Sequence, residues 1–214
     1  MIAKLHYITQ DLPGHTHQDL TRLACKGGVS WVQLRMKNTE ESHRPEIVKE
    51  TFRICKEYGA RLIINDYVFL AREFCTDGVH LGQTDIPVDE ARKILGPSAI
   101  IGATANNWND LKAMASTSAN YIGLGPFRFT HTKKNLSPVL GSEGIESFIK
   151  QFRMISDLPV IAIGGIKVQD VEELIRAGVN GIAVSSAIGQ DPQPEEAAKR
   201  FVLQLKQISE TYIP

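Results

Sequence analysis

Neither sign of charge predominates in this sequence, in which 24 Lys and Arg residues face 24 Asp and Glu. A chain without a net field does not hold nucleic acid or an anionic membrane by general attraction, so any anion it binds needs a local cluster of donors. Cysteine is scarce. Cys25, Cys55 and Cys75 lie far apart and form no Cys-x-x-Cys pair, which argues against a disulfide framework or a zinc site and points to a reducing, cytoplasmic compartment. All three fall in helical patterns and read as small core residues. Long apolar runs are missing as well. Nothing approaches the roughly 18 residues of a membrane span, and Met1-Ile2-Ala3-Lys4-Leu5 opens no signal segment, so a soluble, unprocessed chain is expected. No Ser-His-Asp or Cys-His pattern calls for a covalent nucleophile.

What is present is a regular alternation. Short β-rich runs occur at Lys4–Ile8, Trp31–Arg35, Arg61–Asn65, Gly78–Leu81, Ile100–Thr104, Tyr121–Leu124, Val160–Ile163 and Gly181–Val184. Between them apolar residues recur at helical spacing, as in Ile47, Phe52, Ile54 and Tyr58, or Val168, Val171, Leu174 and Ile175. Strands alternating with helices imply a parallel sheet. At 214 residues the chain suits one α/β domain over 1–214, a (β/α)₈ TIM barrel, with an open doubly wound sheet as the rival. The long irregular stretch 125–144 reads as a lid.

A barrel carries its chemistry at the C-terminal strand ends. Gln33, Arg35 and Lys37 alternate with apolar residues, so an extended chain puts them on one face. Arg as a fork and Lys as a point charge suit a diphosphate; a solvent-facing strand is the plainer reading. Asp66 follows the third strand and Asp85 the fourth. Neighbouring strands are about 4.8 Å apart, so both carboxylates can reach one Mg²⁺. A helix cap at Asp66 and a turn role at Asp85 are the competing readings.

Thr104 ends the fifth strand, and Thr130-His131-Thr132-Lys133 lies in the long loop, where hydroxyls and an ammonium suit an anion. His131 is expected to face solvent. Gly164-Gly165 and Ser185-Ser186 follow the last two strands, the recurrent phosphate position of this barrel. His6 and His80 read as satisfied core residues, while His15, His17 and His43 read as loop residues without a metal-ligand pattern.

Together these segments resemble the thiamine phosphate synthase family over nearly the whole barrel. The motifs are Gln33-Leu34-Arg35-Met36-Lys37, Asn65-Asp66 followed by Leu70-Ala71, Gly82-Gln83-Thr84-Asp85 and Thr130-His131-Thr132-Lys133. The resemblance implies that Gln33, Arg35, Lys37, Asn65, Thr104 and Lys133 hold a hydroxymethylpyrimidine diphosphate, with Arg35, Lys37 and Lys133 assisting its departure. It implies Mg²⁺ on Asp66 and Asp85, and a thiazole phosphate on Thr130, Thr132, Gly165, Ser185 and Ser186. Small molecules are thus the expected partners, not nucleic acid or membrane. The implied reaction is a carbocation-like substitution giving thiamine phosphate and diphosphate, with CO₂ also lost where the thiazole is carboxylated.

The chain departs from the family pattern in places. Thr104 stands where Ser is usual, Asn106 where His is frequent, and Phe127-Arg128-Phe129 is bulkier and more basic than the family's segment. Arg128 is expected in solvent, with an added phosphate contact as the other reading. A thiazole tautomerase and a non-catalytic phosphate-binding regulator on the same barrel are the alternatives, and neither accounts for the convergence of Asp66, Asp85, Arg35 and Lys37.

Overall fold

In the computed structural model, residues 1–130 and 137–212 are described. Eight parallel strands close into a barrel in chain order: β1 (Leu5–Ile8), β2 (Trp31–Leu34), β3 (Arg61–Asn65), β4 (Gly78–Leu81), β5 (Ile100–Ala105), β6 (Tyr121–Leu124), β7 (Val160–Ile163) and β8 (Gly181–Val184). β1 pairs with β8 through Leu5 opposite Ile182 and Tyr7 opposite Val184, so the sheet has no edge and the open doubly wound rival is excluded. The outer ring contains α1 (His17–Lys26), α2 (Arg44–Glu57), α3 (Val68–Glu73), α4 (Val88–Leu95), α5 (Trp108–Met114), α6 (Gly141–Phe152) and α7 (Val171–Arg176). The short α8 (Ser186–Gly189) and the long α9 (Pro194–Tyr212) follow β8. Among the described residues no helix is long and apolar enough to cross a membrane.

Strand limits differ from the sequence reading at three ends. β1 starts at Leu5 rather than Lys4, β5 runs on to Ala105, and β2 stops at Leu34. The last has a visible cause, because the Arg35 N–H leaves the ladder and donates to Thr9 Oγ1 at 3.0 Å.

Alternation along each strand sorts the side chains into two cores. Val32, Leu34, Leu62, Ile64, Val79, Ile101, Ile122, Leu124 and Val160 point outward and are buried beneath the helices. Ile8, Trp31, Ile63, Tyr121, Ile161 and Ala183 point inward and fill the barrel. His6 stacks on Trp31 with ring centroids 4.3 Å apart and meets Tyr121 edge-on at 5.1 Å. Burial, with His80 nearby as a second cause, pushes the His6 pKa down to about 3, so this imidazole is neutral at physiological pH. Both strand histidines are therefore core residues, as expected.

The cysteines follow the sequence reading only in part. Cys25 and Cys55 are buried on α1 and α2, whereas Cys75 lies beyond the end of α3, exposed and with φ +49°. Its helical pattern ends early because α3 stops at Glu73 and the Cys75 N–H turns back to the Arg72 carbonyl.

Tyr121 lies across Gly102 of β5, where a Cβ would overlap the phenol ring. Gly102→Ala is therefore expected to cost about 1–3 kcal/mol by overpacking. Urea unfolding should show a lower midpoint at unchanged slope; an unaltered midpoint would contradict this account of the interior.

Candidate active site at the barrel mouth

The ends of β2, β3 and β4 form one half of the rim. Gln33 and Asn65 are buried on adjacent strands, and Gln33 Nε2 donates to Asn65 Oδ1 at 2.7 Å. Asn65 is followed by Asp66, whose φ of +68° turns the chain sharply. The Asp66 N–H donates to the His80 carbonyl at 2.9 Å, which ties this turn to β4. Asp66 does not cap α3, since Tyr67 occupies the cap position and no side chain bonds there. Asp85 does shape its turn, as the sequence allowed: its Oδ2 accepts the Gly82 N–H at 2.7 Å.

These two turns bring the carboxyls of Asp66 and Asp85 against each other. Burial raises the Asp66 pKa; Lys37, which donates to Asp66 Oδ2 at 2.5 Å, opposes the rise, and the neighbouring Asp85 carboxyl adds to it. Arg35 is half-buried beside them. Burial disfavours its charge, and Asp66, Asp11 and Tyr67 restore part of it. Two cations and two carboxylates thus share one side of the mouth.

Sequence reasoning missed the groups that hold the β2 loop in place. The Arg35 N–H donates to Thr9 Oγ1, which lies 2.9 Å from His17 Nδ1, while His17 Nε2 lies 3.2 Å from Asp11 Oδ1. Asp11 also accepts the Asn38 N–H at 3.2 Å and the Thr39 hydroxyl at 3.3 Å. His17 is therefore not a loop residue: it opens α1, is buried, and has a carboxylate partner. Burial lowers its pKa against the pull of Asp11, which favours a neutral ring donating from Nε2 and accepting from Thr9. His43 likewise closes a short 3₁₀ turn. Spacing in the sequence carried no sign of the Asp11 contacts, because His17 meets Asp11 only when the β1 loop folds back, and Asn38 and Thr39 reach it only when the β2 loop is brought alongside.

The other half of the rim comes from β5 to β8. Thr104 Oγ1 sits 3.0 Å from His80 Nε2, so a core histidine supports a hydroxyl at the mouth. Asn106 Nδ2 donates to the Gly125 carbonyl, giving this residue a structural role at the start of the long loop. Thr130 is half-buried, and Thr132, Lys133 and His131 lie outside the described residues. Gly164 and Gly165 turn with φ +102° and +66°. Ser185 follows β8 with a buried Oγ that has no hydrogen-bond partner among the described residues, and Ser186 starts α8. Arg128 keeps a side chain 42% exposed to solvent and also ion-pairs with Asp170 at 2.8 Å, a partner the sequence did not suggest.

Comparison with known proteins identifies relatives of this chain. The family described as thiamine monophosphate synthase matches residues 5–188. Thiamine-phosphate synthase of Bacteroides fragilis is 45% identical over 202 residues, covering 94% of this chain and 99% of that one. The enzyme of the same name from Phocaeicola vulgatus is 45% identical over 204 residues, covering 94% and 97%. Among solved structures, thiamine phosphate pyrophosphorylase from Pyrococcus furiosus superposes with a TM-score of 0.85 at 30% identity, covering 96% of each chain. With its fold, its motifs and its near full-length relatives in agreement, the chain belongs to the thiamine monophosphate synthase family.

Proposed function

We propose that this chain, acting as one catalytic barrel, joins a hydroxymethylpyrimidine diphosphate to a thiazole phosphate, giving thiamine phosphate and diphosphate. The observation that carries the reading is the acidic pair Asp66 and Asp85 set against Lys37 and Arg35 on one side of the mouth. Across the barrel, the turn at Gly164-Gly165 and the Ser185 hydroxyl, without a partner among the described residues, supply a second place for a phosphate. Two anion positions on opposite sides of one rim suit a reaction between two phosphorylated molecules.

In this reading the diphosphate lies over β2 to β4. Arg35 grips it as a fork and Lys37 as a point charge, while Gln33, Asn65 and Thr104 orient the pyrimidine end. Lys133 is assigned to the same diphosphate by its motif. The thiazole phosphate is held by Thr130, Thr132, Gly165, Ser185 and Ser186, which aims the ring nitrogen at the pyrimidine methylene. As the C–O bond to diphosphate breaks, the cations take up the charge of the departing group and the methylene gains carbocation character; the thiazole nitrogen then attacks it to form the N–C bond. The segment 125–144, whose last four residues open α6, keeps water from the electron-poor methylene.

Asp66 and Asp85 fit Mg²⁺. Among the described residues no cluster of three or more acidic, His or Cys side chains is arranged to hold a metal. A carboxylate pair that leaves the other positions to substrate oxygens and water is the usual Mg²⁺ site, and the crowding that raises the Asp66 pKa is relieved by a cation. Bound there, Mg²⁺ supplies charge neutralisation to the leaving diphosphate. The free thiols agree with a cytoplasmic setting.

Incubating the chain with both precursors and Mg²⁺ should release diphosphate only when all components are present. Isomerised thiazole without diphosphate would point to a tautomerase instead, and binding without turnover to a regulator. Asp66→Ala and Lys133→Ala should each lower kcat by about 10²-fold or more while circular dichroism stays native; near-normal turnover in either variant would remove that residue from the mechanism.

The raised Asp66 pKa also makes a stability prediction. Folding favours the protonated carboxyl, so its cost is absent below the unfolded value of about 3.9 and fully present above the folded value. Without metal, Asp66→Asn should therefore raise Tm at pH 8 by roughly 1–3 °C more than at pH 4. An equal change at both pH values would show that relief at φ +68°, not charge, explains the gain.

A further inference from the structure

Arg128 is more tightly held than an exposed arginine needs to be. Its Nη1 and Nη2 donate to Asp170 Oδ2 and Oδ1 at 2.8 and 2.9 Å, and Nη1 also donates to the Gly165 carbonyl at 2.8 Å. Asp170 is buried, and its Oδ2 accepts the Lys167 N–H at 2.8 Å. The guanidinium carbon lies 4.9 Å from the centroid of the Phe127 ring. Backbone bonds join the same two segments, from the Phe127 N–H to the Ile163 carbonyl at 2.8 Å and from the Arg128 N–H to the Gly164 carbonyl at 2.9 Å. Gly165 has no slack here: a Cβ would come within 3.0 Å of both Arg128 Cβ and the Phe129 carbonyl oxygen.

We propose that Arg128 and Asp170 form a clamp that positions the Gly164-Gly165 turn for the phosphate of the thiazole substrate. The inference rests on the reading of that turn as a phosphate subsite. Consecutive glycines leave a turn many conformations, and backbone N–H groups bind an anion only when their directions are fixed. Within a planar trans peptide the C=O and the following N–H point in opposite directions. By holding the Gly165 carbonyl, Arg128 therefore fixes the direction of the Ile166 N–H. A two-pronged pair with a buried carboxylate is stiffer than a single-contact surface ion pair. Because Asp170 occupies the fork, Arg128 acts through the turn and not on the phosphate. It is a positioning residue.

Arg128→Ala, Asp170→Asn, the double variant and Arg128→Lys test the clamp in the full-length protein. Asp170→Asn keeps an oxygen for the Lys167 N–H, so the local turn survives. Inorganic phosphate is titrated while the amide resonances of Gly165 and Ile166 are followed, and KM is measured for both substrates. Each of the first two variants should raise the phosphate Kd and the KM for thiazole phosphate by about tenfold. The KM for the pyrimidine diphosphate should stay within about twofold, the double variant should be no worse than either single one, and Arg128→Lys should recover part of the loss. An unchanged phosphate Kd in both single variants would overturn the clamp, as would equal rises in KM for the two substrates. A wild-type protein that binds phosphate at Gly165 but never releases diphosphate would refute the synthase reading, and the phosphate titration would still judge the clamp.

Discussion

The repulsion between Asp66 and Asp85 at the mouth is the constraint around which the active half of the barrel is arranged. Two carboxyls are brought together where burial already disfavours charge, and Lys37, bonded to Asp66, offsets part of the cost. Such a pair is a poor stabiliser of the fold and a good receiver for a divalent ion. The neighbouring strands hold it without local freedom. Asp66 is fixed by a left-handed turn bonded to β4, and Asp85 by its own carboxyl folded over Gly82. The fold tolerates this strain because the closed sheet and its two apolar cores make the rim rigid.

Polar layers inside the barrel connect that rim to the packing below it. Trp31, Tyr121 and His6 fill the lower interior. His80 lies 3.0 Å from both the Tyr121 hydroxyl and Thr104 Oγ1, linking the core to a side chain at the mouth. Gln33 and Asn65 bond one another at the same level as the site. The side chains proposed to orient the pyrimidine are thus the top layer of the core itself, and the site inherits the precision of the strands rather than the mobility of loops.

Much of this was legible in the residues. Alternation of strand and helix patterns located the strands, and two-residue periodicity put Gln33 and Arg35 on the inner face. Asp66 and Asp85 were legible because each directly follows one of two adjacent strands. Contacts between loops were not legible. Asp11 and His17 meet through the fold of the β1 loop, and Arg128 finds Asp170 across a separation of 42 residues. No local period encodes such pairs. Cys75 shows the same limit at shorter range, since a helical pattern continued past the point where α3 ends.

The central claim is that one divalent ion is shared by these carboxyls, and a titration of the full-length protein with Mn²⁺ in the presence of diphosphate, followed by electron paramagnetic resonance, addresses it directly. One tightly held ion per chain is expected, lost in both Asp66→Asn and Asp85→Asn. Retention of that ion with unchanged affinity in either variant would contradict it.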